Sequence, residues 1–67
     1  MGLTNYVPEG KVAKRLHKSI RTMRRWREKP QQYFTWYPTW KRVGRSVYYE
    51  KTSLYKWLRD NDKNVKP

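Results

Sequence analysis

Apolar residues recur at helical spacing in two short stretches of the N-terminal half of the chain. The first stripe holds three residues at i, i+1 and i+4: Val12, Ala13 and Leu16. Pro8 suits the first turn of this helix, and Glu9 follows near the positive end of its dipole. The second stripe recurs at every third residue: Ile20, Met23 and Trp26. At about 100° per residue these side chains share one face, which predicts a second helix with Ser19 as N-cap and Pro30 beyond its end.

Residues 31–51 have a different pattern, because aromatic and β-branched side chains dominate there. Residues 33–37 are aromatic-rich, and we expect them to be extended. Residues 41–43 and 46–49 flank the dipeptide Gly44-Arg45. A two-residue loop with glycine first is typical of a type II′ hairpin turn, because glycine accepts a positive φ. The pattern predicts a β-hairpin whose second strand is buried at every second residue.

A third helical stripe follows near the C-terminus, at i, i+3 and i+4: Leu54, Trp57 and Leu58. Thr52 or Ser53 is the expected N-cap. The element order is helix, turn, helix, hairpin, helix, and it predicts one small α+β domain over residues 6–59. We expect residues 1–5 to be a flexible lead and residues 60–67 a flexible polar tail.

Composition limits the classes of function that the chain can have. It has 67 residues and no cysteine, so disulfides and thiolate metal sites are excluded. His17 is the only histidine and the five acidic residues are scattered, so we expect no metal, no cofactor and no catalytic centre. Because no catalytic constellation is visible, we expect that the protein is not an enzyme. No stretch resembles a signal peptide or a membrane span, which predicts a soluble cytoplasmic protein.

The charge is strongly positive, with 17 Lys and Arg against 5 Asp and Glu and a formal net charge of +12. Such a balance favours a polyanionic partner, which can be nucleic acid, an anionic membrane surface or an acidic protein. Between residues 11 and 29 there are nine basic residues and one acid, Glu28. Because this run spans two consecutive predicted helices joined by a tight turn, it favours nucleic acid.

The candidate contacts on the second helix lie off its apolar stripe: Ser19, Arg21, Thr22, Arg24 and Arg25. Arginine on such a face can bind O6 and N7 of guanine with two parallel hydrogen bonds. A second group surrounds the hairpin tip, where it can contact phosphates or the minor groove: Lys41, Arg42 and Arg45. Two lysines are expected to support phosphate binding: Lys14 and Lys18. The alternative is a solvated basic face, with hairpin charges that prevent strand aggregation.

The central aromatic residues allow two interpretations: Tyr33, Phe34, Trp36, Tyr37 and Trp40. In the first, most of them form the core of a small protein. In the second, one or two are exposed to stack on single-stranded bases or to contact a neighbouring protomer. Strict strand alternation would place Phe34 with Trp36 on one face and Tyr33 with Tyr37 on the other.

The ordered set of motifs resembles the MerR-like winged helix-turn-helix domains of phage and mobile-element excisionases, also called recombination directionality factors. It is also similar to a group of small phage-type transcriptional regulators. The residues that carry the resemblance are Val12-Ala13, Leu16, Ser19, residues 21–26, residues 37–39, residues 42–45, Ser53-Leu54 and Trp57-Leu58. One departure is the turn between the first two helices, where the family usually has a small residue and this chain has His17 and Lys18.

The resemblance implies a winged helix-turn-helix whose second helix enters the major groove while the wing contacts the minor groove. Proteins of the family do no chemistry; they bind adjacent sites, bend DNA and direct a site-specific recombinase (integrase) towards excision. The resemblance therefore implies double-stranded DNA and a recombinase as partners, with cooperative self-association on DNA. It also implies a location at the bacterial nucleoid, and neither a membrane nor a small molecule as ligand. A small transcriptional repressor or activator is the first alternative, and a single-strand or RNA-binding aromatic platform is the second.

Overall fold

The helical stripes and the glycine turn correspond to helices and a hairpin in a computed structural model, which describes residues 4–65 and the side chains of residues 4–61. The elements of this part of the chain are β1 (Tyr6–Pro8), α1 (Glu9–Leu16), α2 (Ile20–Glu28), a 3₁₀ helix (Pro30–Gln32), β2 (Trp40–Val43), β3 (Ser46–Glu50) and α3 (Lys51–Val65). The strands form one antiparallel sheet in the order β1-β3-β2. Three α-helices and this sheet confirm the α+β class for the described residues.

The turn between α1 and α2 is short and is held by backbone hydrogen bonds. The His17 N–H donates to the Lys14 carbonyl (3.2 Å), and the Lys18 N–H donates to the Ala13 carbonyl (2.9 Å). His17 adopts the left-handed conformation at φ 58°, which costs a residue other than glycine about 1–2 kcal/mol. Ser19 caps α2 as expected, because its Oγ accepts a hydrogen bond from the Thr22 N–H (3.2 Å).

The predicted hairpin is confirmed. β2 and β3 pair in a register that places Val43 opposite Ser46, on either side of Gly44-Arg45. Gly44 has φ +63°, whereas Arg45 is outside the positive-φ region, which is the pattern of a type II′ turn. Along β3, Val47 and Tyr49 are buried, as the alternation predicts.

The first strand was not predicted. β1 pairs with β3 so that Val7 lies opposite Tyr49, and next to this pair the Lys51 N–H donates to the Asn5 carbonyl (2.7 Å). A strand of three residues that ends in Pro8 carries no periodic signal of its own. Of the predicted N-terminal lead, residues 1–3 lie outside the described part.

The prediction of extended structure for residues 33–37 is wrong. Backbone N–H groups of Tyr33 and Phe34 donate to the Pro30 carbonyl (3.0 and 2.8 Å), so the chain continues in a tight turn after α2. Phe34 therefore faces the core together with Tyr37, three residues on, with ring centroids 5.7 Å apart. The expected pairing of Phe34 with Trp36 fails because residues 34–39 belong to neither a helix nor a strand, so strict two-residue alternation does not apply.

Most of the central aromatic residues are also not core residues, contrary to expectation. Tyr33, Trp36 and Trp40 are 44%, 37% and 36% exposed. Phe34 and Tyr37 are the two that pack against the buried cluster.

Helix α3 begins at Lys51, two or three residues earlier than predicted, because Glu50 rather than Thr52 or Ser53 is its cap. The Glu50 carboxylate accepts hydrogen bonds from the backbone N–H groups of Ser53 (2.8 Å) and Thr52 (3.2 Å). The bond from the Ser53 N–H is the largest cause of a lowered pKa at Glu50. The helix continues to Val65, so residues 60–65, predicted as a tail, are helical.

The core lies between the sheet and the three helices and consists of Val12, Ala13, Met23, Val47, Tyr49, Leu54, Trp57 and Leu58. Trp57 is at its centre and is 1% exposed. Its ring meets Phe34 and Tyr37 edge-on at centroid distances of 5.0 and 5.2 Å. The apolar stripe of α3 is thus confirmed as a core face, and it fixes the aromatic segment to the domain.

Candidate nucleic-acid interface

Helix α2 is held on the core by one side and presents cations on the other. Met23 is fully buried, and Trp26 packs beside it against Phe34 (4.9 Å between ring centroids). The opposite side bears Arg21 and Arg25, both exposed. Because packing fixes the helix axis, these guanidinium groups project from a rigid support.

Ile20 is an exception to the predicted burial pattern of α2. It was expected on the apolar face with Met23, but it is 50% exposed. Ile20 is the first residue of the helix and extends beyond the edge of the core. Its i+4 neighbour Arg24 is also exposed and makes a 3.6 Å ion pair with Glu28 at the surface.

A groove of about 370 Å³ separates the start of α1 and α2 from the β2–β3 hairpin. Its wall on the helix side carries Arg24, and its wall on the hairpin side carries Arg42 and Arg45. The structure therefore brings together predicted contacts from two separate parts of the sequence. We call this the arginine groove.

The other predicted contacts do not line the arginine groove. Ser19, Arg21, Thr22 and Arg25 belong to the remaining surface of α2 and its cap, and Lys14 and Lys18 are exposed on α1 and in the following turn. The Lys41 ammonium lies over the ring of Tyr6, 4.7 Å from its centroid. Lys41 precedes Arg42 in the same strand, so their side chains point to opposite faces of the sheet.

A buried ion pair forms the floor of the arginine groove, and sequence reasoning missed it. Arg27 Nε donates to Glu9 Oε2 (2.6 Å) and Arg27 Nη2 donates to Glu9 Oε1 (3.2 Å). Both side chains are only 7% exposed. The pair joins the first residue of α1 to the last turn of α2, 18 residues away, and no local spacing rule links such positions.

Two tyrosines extend this network into the sheet. The Tyr49 hydroxyl donates to Glu9 Oε2 (2.8 Å) and lies 2.8 Å from the Tyr37 hydroxyl. Burial raises the pKa of Tyr37 to about 12, and burial with the hydrogen bond to Tyr37 raises the pKa of Tyr49. For Arg27, burial acts against the charged form, but the hydrogen bonds and charge of Glu9 outweigh it and raise the pKa.

The network changes the charge balance of the groove. Glu9, an acid at the groove floor, is neutralised by Arg27, and Arg27 is thereby removed from the set of free cations. Arg42 and Arg45 have no ion-pair partner among the described side chains. The groove therefore presents net positive charge, which favours an anionic ligand.

A second cationic surface lies across α1 from the arginine groove. It surrounds a depression of about 610 Å³, with Lys11, Arg15 and Arg59 among its lining residues. At about 100° per residue, Lys11 and Arg15 project from the side of α1 opposite to Glu9 and Gly10, which line the arginine groove. Charge alone does not distinguish the two surfaces, so Arg59 is a natural control for experiments on the arginine groove.

The exposed aromatic rings are partly engaged within the molecule. The Arg27 guanidinium lies over the Trp40 ring, 5.1 Å from its centroid. Trp36 Nε1 donates to Asp60 Oδ2 (3.3 Å). These contacts reduce the ring area that is free to stack on a base.

Among residues 4–65, no group of three or more His, Cys, Asp or Glu side chains could hold a metal ion. In the same residues, no helix combines the length and the apolar character needed to cross a bilayer.

No family model, curated protein or solved structure is significantly similar to this chain.

Proposed function

We propose that the protein is a sequence-specific duplex DNA-binding protein that uses α1 and α2 as a helix-turn-helix and the β2–β3 hairpin as a wing. The observation that carries the proposal is the arginine groove, in which Arg24 of α2 meets Arg42 and Arg45 of the hairpin. A ligand that reaches both walls must be anionic over an extended surface, as a nucleic-acid backbone is.

Each part of the surface has a distinct task in this proposal. Arg21 and Arg25 enter the major groove with α2, where a guanidinium can bind guanine with two hydrogen bonds. Arg42 and Arg45 contact phosphates or the neighbouring minor groove. Ser19 and Thr22 lie at the start of α2 and enter the major groove with it, while Lys14 and Lys18 supply further phosphate contacts. Lys41, which lies over Tyr6 on the other face of the sheet, has no contact with DNA in this arrangement.

The more specific role we propose is that of an excisionase, which binds adjacent sites, bends DNA and directs a site-specific recombinase towards excision. This role rests on the ordered resemblance of the motifs to such proteins. A small transcriptional repressor or activator would use the same surface, and fold alone does not separate the two roles. Binding of single strands or RNA is less favoured, because Trp36 and Trp40 make contacts within the protein.

The test is selection of bound duplexes from a random pool at physiological salt, followed by footprinting on the enriched sequences. We expect an enriched motif and cooperative filling of tandem direct repeats, because repeated heterologous contacts generate a row of protomers. One dimer on an inverted repeat would instead support the regulator. Absence of any enriched duplex would refute sequence-specific binding, and single strands and RNA would be tested next.

Two variants sharpen this experiment. Arg25→Ala should relax the preference at one base pair and weaken binding by about 1–3 kcal/mol if the contact is bidentate. Arg59→Ala, on the far side of α1, should change neither the motif nor the affinity. Equal losses from both variants on all sequences would mean that the protein binds through charge alone.

A further inference from the structure

Ile20 stands out among the exposed apolar residues of the described chain. Large apolar side chains are exposed at six described positions, and Ile20, at 50%, is among the most exposed. It is also the one member of that set that lines the arginine groove. An apolar side chain is therefore displayed among the guanidinium groups of Arg24, Arg42 and Arg45.

The surroundings of Ile20 limit what it can contact. Three arginines within one groove are unsuited to an apolar protein surface, because burial without anionic partners would leave their charges desolvated. An isoleucine side chain gains nothing from a phosphate. Its ligand must therefore offer an apolar group beside anionic groups.

Duplex DNA has one such group on its base edges, the 5-methyl group of thymine in the major groove. The first residues of the second helix of a helix-turn-helix are those that approach base edges. Ile20 is the first residue of α2, and Arg24 lies one turn further along the same side. The arrangement places an apolar side chain and a cation side by side along one side of α2.

We infer that Ile20 contacts the 5-methyl group of a thymine and so makes thymine the preferred base at one position of the binding site. This inference rests on the proposed function, since it requires α2 to lie in the major groove. It adds a specificity-determining residue that the charge pattern does not indicate.

The test removes the methyl group and nothing else. Each thymine of the selected duplex is replaced in turn by deoxyuridine, and dissociation constants are measured by fluorescence anisotropy. For the unaltered protein we expect a loss of about fourfold at one position, the factor that corresponds to burial of one methyl group. For Ile20→Ala the same replacement should have no effect at that position, because the contact is already missing.

Two more variants serve as controls. Ile20→Val retains a branched side chain and should keep part of the discrimination against deoxyuridine. Val43→Ala removes an exposed β-branched residue outside the arginine groove and should leave the fourfold loss unchanged. Unchanged melting temperatures of all three variants establish that the fold is intact.

The outcomes separate this inference from the proposed function. Equal losses for the unaltered protein and Ile20→Ala at every thymine, on a duplex that was clearly enriched, would overturn the role of Ile20 and leave DNA binding in place. Failure to enrich any duplex would overturn the proposed function itself.

Discussion

Replacement of Glu9 by alanine tests whether the buried network holds the domain together. The carboxylate accepts three hydrogen bonds, two from Arg27 and one from Tyr49. Its removal leaves a guanidinium that is 7% exposed without a counter-ion. Loss of one partner of a buried pair costs about 3–5 kcal/mol, because the remaining charge stays desolvated.

That loss is large for a chain of this size. At about 0.05–0.15 kcal/mol per residue, 67 residues correspond to a free energy of unfolding of about 3–10 kcal/mol. We therefore expect Glu9→Ala to lose at least about a third of the free energy of unfolding, and to be unfolded if the stability of the chain lies at the lower end of that range. Glu9→Gln keeps an acceptor for Tyr49 but loses the charge. Its free energy of unfolding should lie between those of the unaltered protein and Glu9→Ala.

The assay is urea unfolding, followed by tryptophan fluorescence and far-ultraviolet circular dichroism in parallel. Glu28→Ala is the matched control, since Glu28 makes the exposed 3.6 Å ion pair with Arg24 and such pairs contribute about 0–1 kcal/mol. A loss for Glu9→Ala no larger than that for Glu28→Ala would refute the reasoning.

The remaining predictions concern DNA binding, alkaline stability and the core. Arg45→Ala should reduce the slope of log affinity against log salt concentration by about one, whereas Arg59→Ala should leave it unchanged. Equal slopes for the two variants would mean that the hairpin tip does not contact the DNA backbone. Burial raises the pKa of Tyr37 from 10.0 to about 12 and that of Tyr49 as well. The neutral phenols thus stabilise the fold fully below pH 10, and this contribution is lost as the pH rises towards 12. The chain has six tyrosines, and the part of the tyrosinate absorbance that comes from Tyr37 and Tyr49 should therefore appear together with unfolding; ionisation of both phenols in a folded protein would contradict this. Trp57→Ala should lower the free energy of unfolding by about 3–5 kcal/mol, and an unchanged melting temperature would contradict its central place in the core.

The parts of the fold that sequence could predict are those fixed by neighbouring residues. Ser19 caps a helix through a bond to a residue three positions on, and Gly44 determines its turn through its own φ. The apolar stripes predicted for α1 and α3 coincide with the residues that form or pack against the core. In contrast, β1 depends on a partner far along the chain, with Val7 opposite Tyr49.

The predictions failed where the conformational preference of individual residues was overridden by the neighbouring turn or strand. The aromatic residues 33–37 favour strands, but the 3₁₀ helix and turn that begin at Pro30 interrupt any strand alternation, and Phe34 and Tyr37 both pack against the core. Glu50 caps α3 because strand and helix are contiguous, which leaves Thr52 and Ser53 inside the first turn.

For the candidate site, charge was predictable and geometry was not. The sequence indicates Arg24, Arg42 and Arg45 as candidate contacts, but only the fold shows that they share one groove. Arg27 belongs to the same basic run and is nevertheless buried against Glu9. No spacing rule distinguishes a cation with a buried partner 18 residues away from one that faces solvent.

The directional character of the groove floor has a consequence for recognition. Apolar contacts allow packed elements to slide, whereas a two-pronged arginine–carboxylate pair is formed at one relative position of its partners. Because Glu9, Arg27 and Tyr49 join α1, α2 and β3 in this way, the separation between the helix wall and the hairpin wall is set before any ligand arrives. A preorganised surface loses little conformational entropy on association. In the proposed DNA complex, the distance between a base contacted by α2 and a phosphate contacted by the hairpin would thus be set by the folded chain. Changes confined to exposed arginines would then alter the preferred sequence without altering that distance.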